Sequence, residues 1–179
     1  MKISTPALIL VSSLFLLASC KKDNSTGNNN TPTNTISAKV NGASFQGNAS
    51  ASLNTVTSLG NLVITGARVS NSANLVETIT ILLYIQSGVS VATGDYTFSA
   101  EDCSNQSFQI CGLLGFSKLE NGNTTVYWSD GSTDGFNLNI SDIDYKTGGY
   151  VKGSFSGNLS DGNGNFVTVT EGKFNANIQ

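Results

Sequence analysis

The chain has 179 residues, and its nine Lys and Arg against twelve Asp and Glu give a formal net charge of −3. Because these charges are scattered and form no basic patch, we expect no nucleic-acid partner. The chain contains no histidine, which removes the usual general base and the commonest zinc ligand and excludes Ser-His-Asp and Cys-His hydrolysis.

The first element is an apolar run that follows Lys2. It extends from Ala7 to Ala18, interrupted only by two serines, and it is too short for a permanent membrane-spanning helix. It ends in Leu17-Ala18-Ser19-Cys20, which looks like a lipobox, where small residues precede the cysteine that receives diacylglycerol. We predict that residues 1–19 are a cleaved signal peptide and that Cys20 is lipidated. The alternatives are an ordinary secretory signal and a helix buried in the core.

The next segment, residues 20–35, continues after the cysteine with KKDNSTGNNNTPTNT. It contains no large apolar side chain, so nothing in it offsets the conformational entropy lost on ordering. We predict a disordered tether, which at this length holds the domain roughly 20–25 Å from the lipid. A single β domain is expected over residues 36–179.

From Ile36 onward, apolar and polar residues alternate in short segments, which indicates β-strands because successive side chains point to opposite faces. The clearest segment, ETITILLYIQS, predicts a central strand with Ile79, Ile81, Leu83 and Ile85 on one face. The other predicted strands are 36–40, 44–53, 62–69, 95–99, 110–119, 124–129, 135–141, 151–159 and 166–178. Nine or ten strands without a convincing helix predict an all-β fold, an antiparallel β-sandwich or barrel.

Turn residues separate the predicted strands. Asn-Gly at 41–42 and 121–122 and Gly-Asn at 60–61 predict tight turns between antiparallel neighbours. In the last strand the apolar residues change from odd to even positions at Glu171-Gly172, which predicts a β-bulge. An unbulged strand that buries both faces is the alternative, because Phe166 already stands on the even set.

Cys103 and Cys111 remain once Cys20 is assigned to lipid. An exported chain meets an oxidising compartment, so this even pair predicts a disulfide. The alternative is two reduced cysteines that pack as small apolar groups. Two thiolates without histidine fall short of tetrahedral coordination, so we expect no metal ion and no cofactor.

Acidic residues are the remaining candidates for catalysis, since a glycosidase-type mechanism needs two carboxylates that face one cleft. Most of them adjoin Gly, Ser or Asn and are interpreted as turn or solvated residues, so no catalytic residue is assigned. The candidates are Glu101, Asp102, Asp130, Asp134, Asp142 and Asp144, of which the last two would share a strand face.

The segment DGNGN at 161–165 matches the first half of a calcium loop, with oxygen donors at alternate positions. The second half departs from that pattern, because Phe166 and Gly172 stand where such a loop needs glycine and a bidentate glutamate. A plain hairpin turn is therefore the favoured interpretation.

Tyr127 and Trp128 form the one place in the chain where two large rings adjoin. On a strand they must point to opposite faces, so one belongs to the core and the other can lie at the surface. They are the candidate ligand-binding residues, as a platform on which a sugar ring could stack, although packing is the favoured role of each.

Three stretches carry a resemblance: ISAKVNGASFQG near residue 36, TITILLYI followed by GDYTF, and the closing YVKGSFSGNLSDGNGNFVTVTEGKFNANI. Together they resemble the short β-rich lipoproteins of Bacteroidota that are grouped as a domain of unknown function. The resemblance covers most of residues 36–179 and implies no activity. It implies a lipoprotein with three acyl chains, which anchor stably, in the outer membrane of a Gram-negative bacterium. Lys21-Lys22-Asp23 resembles the charged signal that sends such lipoproteins to the cell surface; the periplasmic face is the alternative.

These observations favour a non-enzymatic, lipid-anchored binding or structural module of the cell envelope. The alternatives are an accessory glycan-binding lipoprotein and an envelope hydrolase that uses paired carboxylates. Besides the membrane, the expected partner is a glycan or an envelope protein.

Substituting Cys20→Ala should abolish lipid attachment, because alanine has no thiol to accept diacylglycerol. In the native host, the wild-type protein should partition into detergent with an acylated N-terminal Cys20, while the variant stays in the aqueous phase or remains uncleaved. Detergent phase separation and mass spectrometry of the N-terminal peptide measure both. Wild-type protein with an unmodified Met1 or an unlipidated Cys20 would contradict the prediction.

Overall fold

The computed structural model describes residues 33–55, 59–70, 74–99, 103, 108–129 and 135–179. The predicted signal peptide, Cys20 and most of the predicted tether lie outside these residues. All ten elements of the described part are strands, which confirms the predicted all-β fold. They are β1 (Thr35–Val40), β2 (Ala43–Asn54), β3 (Leu59–Ser70), β4 (Leu75–Gln86), β5 (Gly94–Ser99), β6 (Ile110–Glu120), β7 (Asn123–Trp128), β8 (Gly135–Asp144), β9 (Tyr150–Ser160) and β10 (Phe166–Asn177).

Eight of these strands close into an antiparallel barrel in the order β10-β1-β2-β3-β4-β6-β7-β9, and pairing between β9 and β10 completes the circle. The barrel is therefore the correct one of the two predicted architectures. The backbone pairing between β7 and β9 is confined to Trp128 and Ser160. Along the rest of that edge β9 pairs instead with β8, and β8 carries β5 on its far side.

The core lies inside the barrel and follows the predicted alternation. Ile79, Ile81, Leu83 and Ile85 of β4 are at most 2% exposed. This strand pairs along nearly its whole length with β3 and β6, so its predicted central position is confirmed. The inward residues of β8 and β9, among them Phe136, Leu138 and Phe155, are also buried.

Two of the three predicted turns are confirmed. Asn41 and Gly42 have φ angles of 49° and 80°, and Asn121 and Gly122 have 51° and 82°, the left-handed geometry that joins adjacent antiparallel strands. The third prediction, at Gly60-Asn61, is wrong because both residues lie inside β3 and pair with β4. Gly60 is required for close approach, since a Cβ there would lie 2.9 Å from the carbonyl oxygen of Asn54.

The predicted β-bulge in β10 is confirmed, because its register against β9 shifts between Val169 and Gly172. The residue in the left-handed region is Glu171, with a φ of 53°. Gly172 is needed for a different reason: a Cβ there would lie 2.5 Å from the carbonyl oxygen of Phe155 and 2.7 Å from its ring. The bulge therefore leaves the Glu171 side chain exposed on the outer face, while Gly172 makes room for the buried ring of Phe155.

The first strand begins at the end of the predicted tether. Thr35 is the first residue of β1. The carbonyl oxygen of Asn34 accepts a hydrogen bond from Ala49 N at 2.8 Å, and its side-chain oxygen accepts another from Asn177 N at 2.8 Å. The start of the domain is thus held against both β2 and β10.

Cys103 and Cys111 lie at disulfide distance, with their Cα atoms 5.2 Å apart. Cys111 is fully buried near the start of β6, so a bond between the two cysteines would fix Cys103 to that strand, which is the link that the sequence predicts. Among the described residues, no helix is long and apolar enough to cross a membrane.

Substituting Gly66→Ala should lower the free energy of unfolding by about 1–3 kcal/mol, the usual cost of overfilling a packed core. A Cβ at position 66 would overlap the Cγ2 atom of buried Ile36. Urea denaturation measures the loss. In an Ile36→Ala background the same substitution should cost less, because the crowded branch is gone; an equal cost in both backgrounds would show that crowding is not the cause.

Replacing both Cys103 and Cys111 with serine, in a Cys20→Ala background, should leave the protein folded but less stable by about 2–3 kcal/mol, because the disulfide restricts a short loop in the unfolded chain. Chemical denaturation measures the change, and each single variant should expose one titratable thiol. Two titratable thiols in the unreduced Cys20→Ala parent, secreted to the periplasm, would refute the disulfide.

Candidate functional site

A groove of about 710 Å³ crosses the outer face of β5, β8, β9, β10 and β1. Outer here means the face opposite the core. The volume lies within the range of small-molecule binding sites. The groove is therefore the first candidate for a ligand site.

Polar side chains line this groove because the apolar residues of the same strands point into the barrel. Residues that pair directly across a sheet point to the same face, so the register of five strands sets the polar residues in rows. The central row is Asp95–Asn139–Ser154–Lys173–Ser37, in strand order. Asn137, Thr97 and Ser156 form the neighbouring row.

Hydrogen bonds along these rows hold the side-chain amides in place. Asn139 Nδ2 donates to Asp95 Oδ1 at 2.8 Å, and Thr97 Oγ1 donates to Asn137 Oδ1 at 2.9 Å. A side-chain amide has two N–H donors and an acceptor with two lone pairs, so each contact uses only part of that capacity. The amides are thus oriented before a ligand arrives.

The charges at the groove balance. Lys39 Nζ lies 2.6 Å from Glu171 Oε1, which the bulge has turned outward. Asp95 stands at one end of the central row, and Lys173 lies three strands away, next to Ser37 at the other end. Two carboxylates and two ammonium groups therefore cancel, and the surface does not select for a strongly charged ligand.

The two described acidic candidates have other partners. Asp142 accepts a hydrogen bond from the Tyr150 hydroxyl at 3.0 Å and lies 3.4 Å from Lys152 Nζ, and Asp144 pairs with Lys146 at 3.0 Å. The bond to Asp142 raises the pKa of Tyr150. Neither aspartate lines the groove. The other candidates, Glu101, Asp102, Asp130 and Asp134, lie outside the described residues.

The turn at 161–165 uses the carboxylate of Asp161 internally. Asp161 accepts hydrogen bonds from Asn165 Nδ2 at 2.7 Å, from Asn163 N at 2.8 Å and from Asn165 N at 3.1 Å. These bonds, with the Asn165 side chain contributing most, lower the pKa of Asp161. Within the described ranges, no cluster of three or more Cys, Asp or Glu could hold a metal ion.

Tyr127 and Trp128 point to opposite faces, as the strand geometry predicts. Tyr127 packs against the core, with its ring centroid 6.3 Å from that of Phe116. Trp128 lies on the outer face over Gly115, where a Cβ would come within 2.5 Å of its ring. The two rings therefore cannot bind one ligand together.

A second cavity, of about 360 Å³, lies where Tyr127 meets one mouth of the barrel. Its floor is an ion pair between Arg68 Nε and the nearly buried Glu77. Arg68 Nη1 also donates to Ser44 O at 2.5 Å, and the guanidinium lies 5.3 Å from the ring centroid of Phe45. These contacts hold the Arg68–Glu77 ion pair in place at that mouth of the barrel, and we call this ion pair the plug.

The same mouth contains Lys118, whose Nζ lies 2.8 Å from Glu120 Oε2. That contact raises the pKa of Lys118. The plug was not predicted from the sequence, although Glu77 shares its parity with Ile79 and so had to face the barrel interior.

The groove was also not predicted. Its signal was present in GFNLNIS, where Asn137 and Asn139 occupy the outward positions of β8. The row that they complete depends on the register of strands distant in sequence, such as the pairing of Ser154 with Lys173.

Comparisons of the chain with protein-family models, curated proteins and solved structures find no match.

Proposed function

We propose that this domain is a non-enzymatic binding module that takes a glycan into the groove and is held at a membrane by lipid on Cys20. The observation that supports the ligand class is the oriented row across the groove, above all the Asn139 amide bonded to Asp95 at 2.8 Å. It offers donors and acceptors side by side, in the alternation that neighbouring hydroxyl groups of a sugar require.

The side chains of the groove match a polyhydroxylated ligand better than an apolar or an ionic one. Amides and hydroxyls each donate and accept, and those of Asn137, Asn139, Ser154 and Ser156 lie on adjacent strands. The balanced charges favour a neutral ligand. A hydrophobic molecule would leave these polar groups without partners, which is costly.

The carboxylates of the groove support a binding role without catalysis. A glycosidase needs one carboxyl group that gives a proton and another that acts as base or nucleophile at the same bond. Glu171 is held by the ammonium of Lys39 and Asp95 by the amide of Asn139. Each carboxylate thus already has a partner that helps to orient the site.

The proposed lipid anchor and the groove are consistent with one role, which is to bind a glycan close to a membrane. A flexible segment of the predicted length lets the domain sample roughly 20–25 Å from the lipid. A glycan near the membrane is then within reach of the groove, on either the periplasmic or the cell-surface face of the outer membrane.

Filling the groove from its floor should abolish binding. In Ser154→Arg a long side chain would occupy the space, and affinity for a bound glycan should fall more than tenfold, whereas Ser50→Arg, on the exposed outer face of β2, should leave it unchanged. The mature lipoprotein, in a detergent without a sugar headgroup, would be screened on a glycan array and titrated by calorimetry. Absence of any glycan binding, or binding insensitive to Ser154→Arg, would refute the proposal.

A further inference from the structure

Two aromatic side chains stand on the outer face of the barrel, one on each side of Ser160. Trp128 of β7 and Phe166 of β10 both pair directly with this serine. Each direct pair separates Cβ atoms by about 5 Å, so the two rings are rooted about 10 Å apart. We call Trp128, Ser160 and Phe166 the aromatic shelf.

The aromatic shelf places apolar rings on the outer face, whereas the other large apolar residues of β10 point inward. Phe166 is 59% exposed, and its neighbours Val167 and Val169 take the inward positions of β10. Trp128 is half-buried, with its lower surface on Gly115. A single exposed aromatic is common, but here two aromatic residues flank one residue with a small side chain, Ser160.

A polar track joins the shelf to the groove. The outward residues of β9 run from Ser154 and Ser156 in the groove to Ser160, about 20 Å along the strand. Between them lies exposed Asn158, whose Oδ1 accepts a hydrogen bond from Thr168 Oγ1 at 3.1 Å. Short side chains line the whole path along β9, and none of them blocks a chain that lies on the strand.

This arrangement corresponds to the two kinds of surface that a sugar presents. Hydroxyl groups at the edge of the ring hydrogen-bond to amides and hydroxyls, while the C–H groups on its face pack against aromatic rings. The groove and the track offer the first kind of contact, and the shelf offers the second.

Resting on the proposed function, we infer that the aromatic shelf is a second subsite for the same glycan. The ligand is therefore a linear oligosaccharide that extends from the groove along β9 to Trp128 and Phe166. A mono- or disaccharide bound at Ser154 fills the groove alone, because the shelf lies about 20 Å from Ser154 and about 13 Å beyond Ser156, the groove residue nearest to it on β9.

The chain offers a direct reporter, because Trp128 is its one tryptophan. The mature lipoprotein would be titrated with di-, tetra- and hexasaccharides of the cello-, malto- and laminari- series, by calorimetry and by tryptophan fluorescence. Affinity should rise with chain length, and fluorescence should change with the hexasaccharide but not with the disaccharide.

Phe166→Ser should weaken hexasaccharide binding roughly three- to tenfold, the effect of losing one stacking contact, and should leave disaccharide binding unchanged. Val69→Ser is the matched control, since Val69 is 64% exposed on β3 and lies away from the track. Because Phe166 is exposed, its loss should not affect folding. Trp128 is followed by fluorescence and is not replaced, since it packs on Gly115.

The outcomes separate the two proposals. If the hexasaccharide binds and Ser154→Arg abolishes binding, but fluorescence and Phe166→Ser have no effect, the shelf is refuted and the groove stands. If no member of the series binds, the shelf is refuted for these glycans whatever the array shows. A fluorescence change that survives Ser154→Arg would also overturn the inference, because the shelf would then bind independently of the groove.

Discussion

The structure depends on filling the interior of a closed eight-stranded barrel. A barrel of this size has room for side chains but not for large ones at every inward position. Glycines therefore face the bulkiest groups: Ile36 occupies the space left by Gly66, and Phe98 the space left by Gly112. This matching also fixes the register, since a shift of one residue would exchange the two faces of a strand.

The groove is a consequence of the same constraint. Once the large apolar residues of β8, β9 and β10 are placed inside, mostly short polar residues remain for their outer faces. The groove therefore takes nothing from the core, and substitutions on one face can be made without repacking the other. The bulge at Glu171 affects both faces of β10. This one irregularity accommodates Phe155 on the inner face and places a carboxylate on the outer face.

Much of the fold could be predicted from the sequence because alternation is a local signal. It located all ten strands, the turns at Asn41 and Asn121 and the bulge in β10. Alternation does not say which strands pair, so neither the closure of the barrel nor the branch formed by β8 and β5 followed from it. Gly60 was misread because a glycine needed for close approach looks the same in sequence as a glycine needed for a turn. The groove was missed for a related reason: its residues are ordinary in their own strands and become a site only through the register of five of them.

The position of β1 has a mechanical consequence. Traction applied through the N-terminal segment enters the barrel at Asn34 and Thr35 and is directed along a strand that pairs with β2 on one side and β10 on the other. Antiparallel hydrogen bonds lie perpendicular to the strands, so the component of such a load along β1 shears both ladders at once. A tether attached to a strand that is paired on both sides resists drag better than one attached to an edge strand. In this barrel the N-terminal segment joins β1, which is paired on both sides.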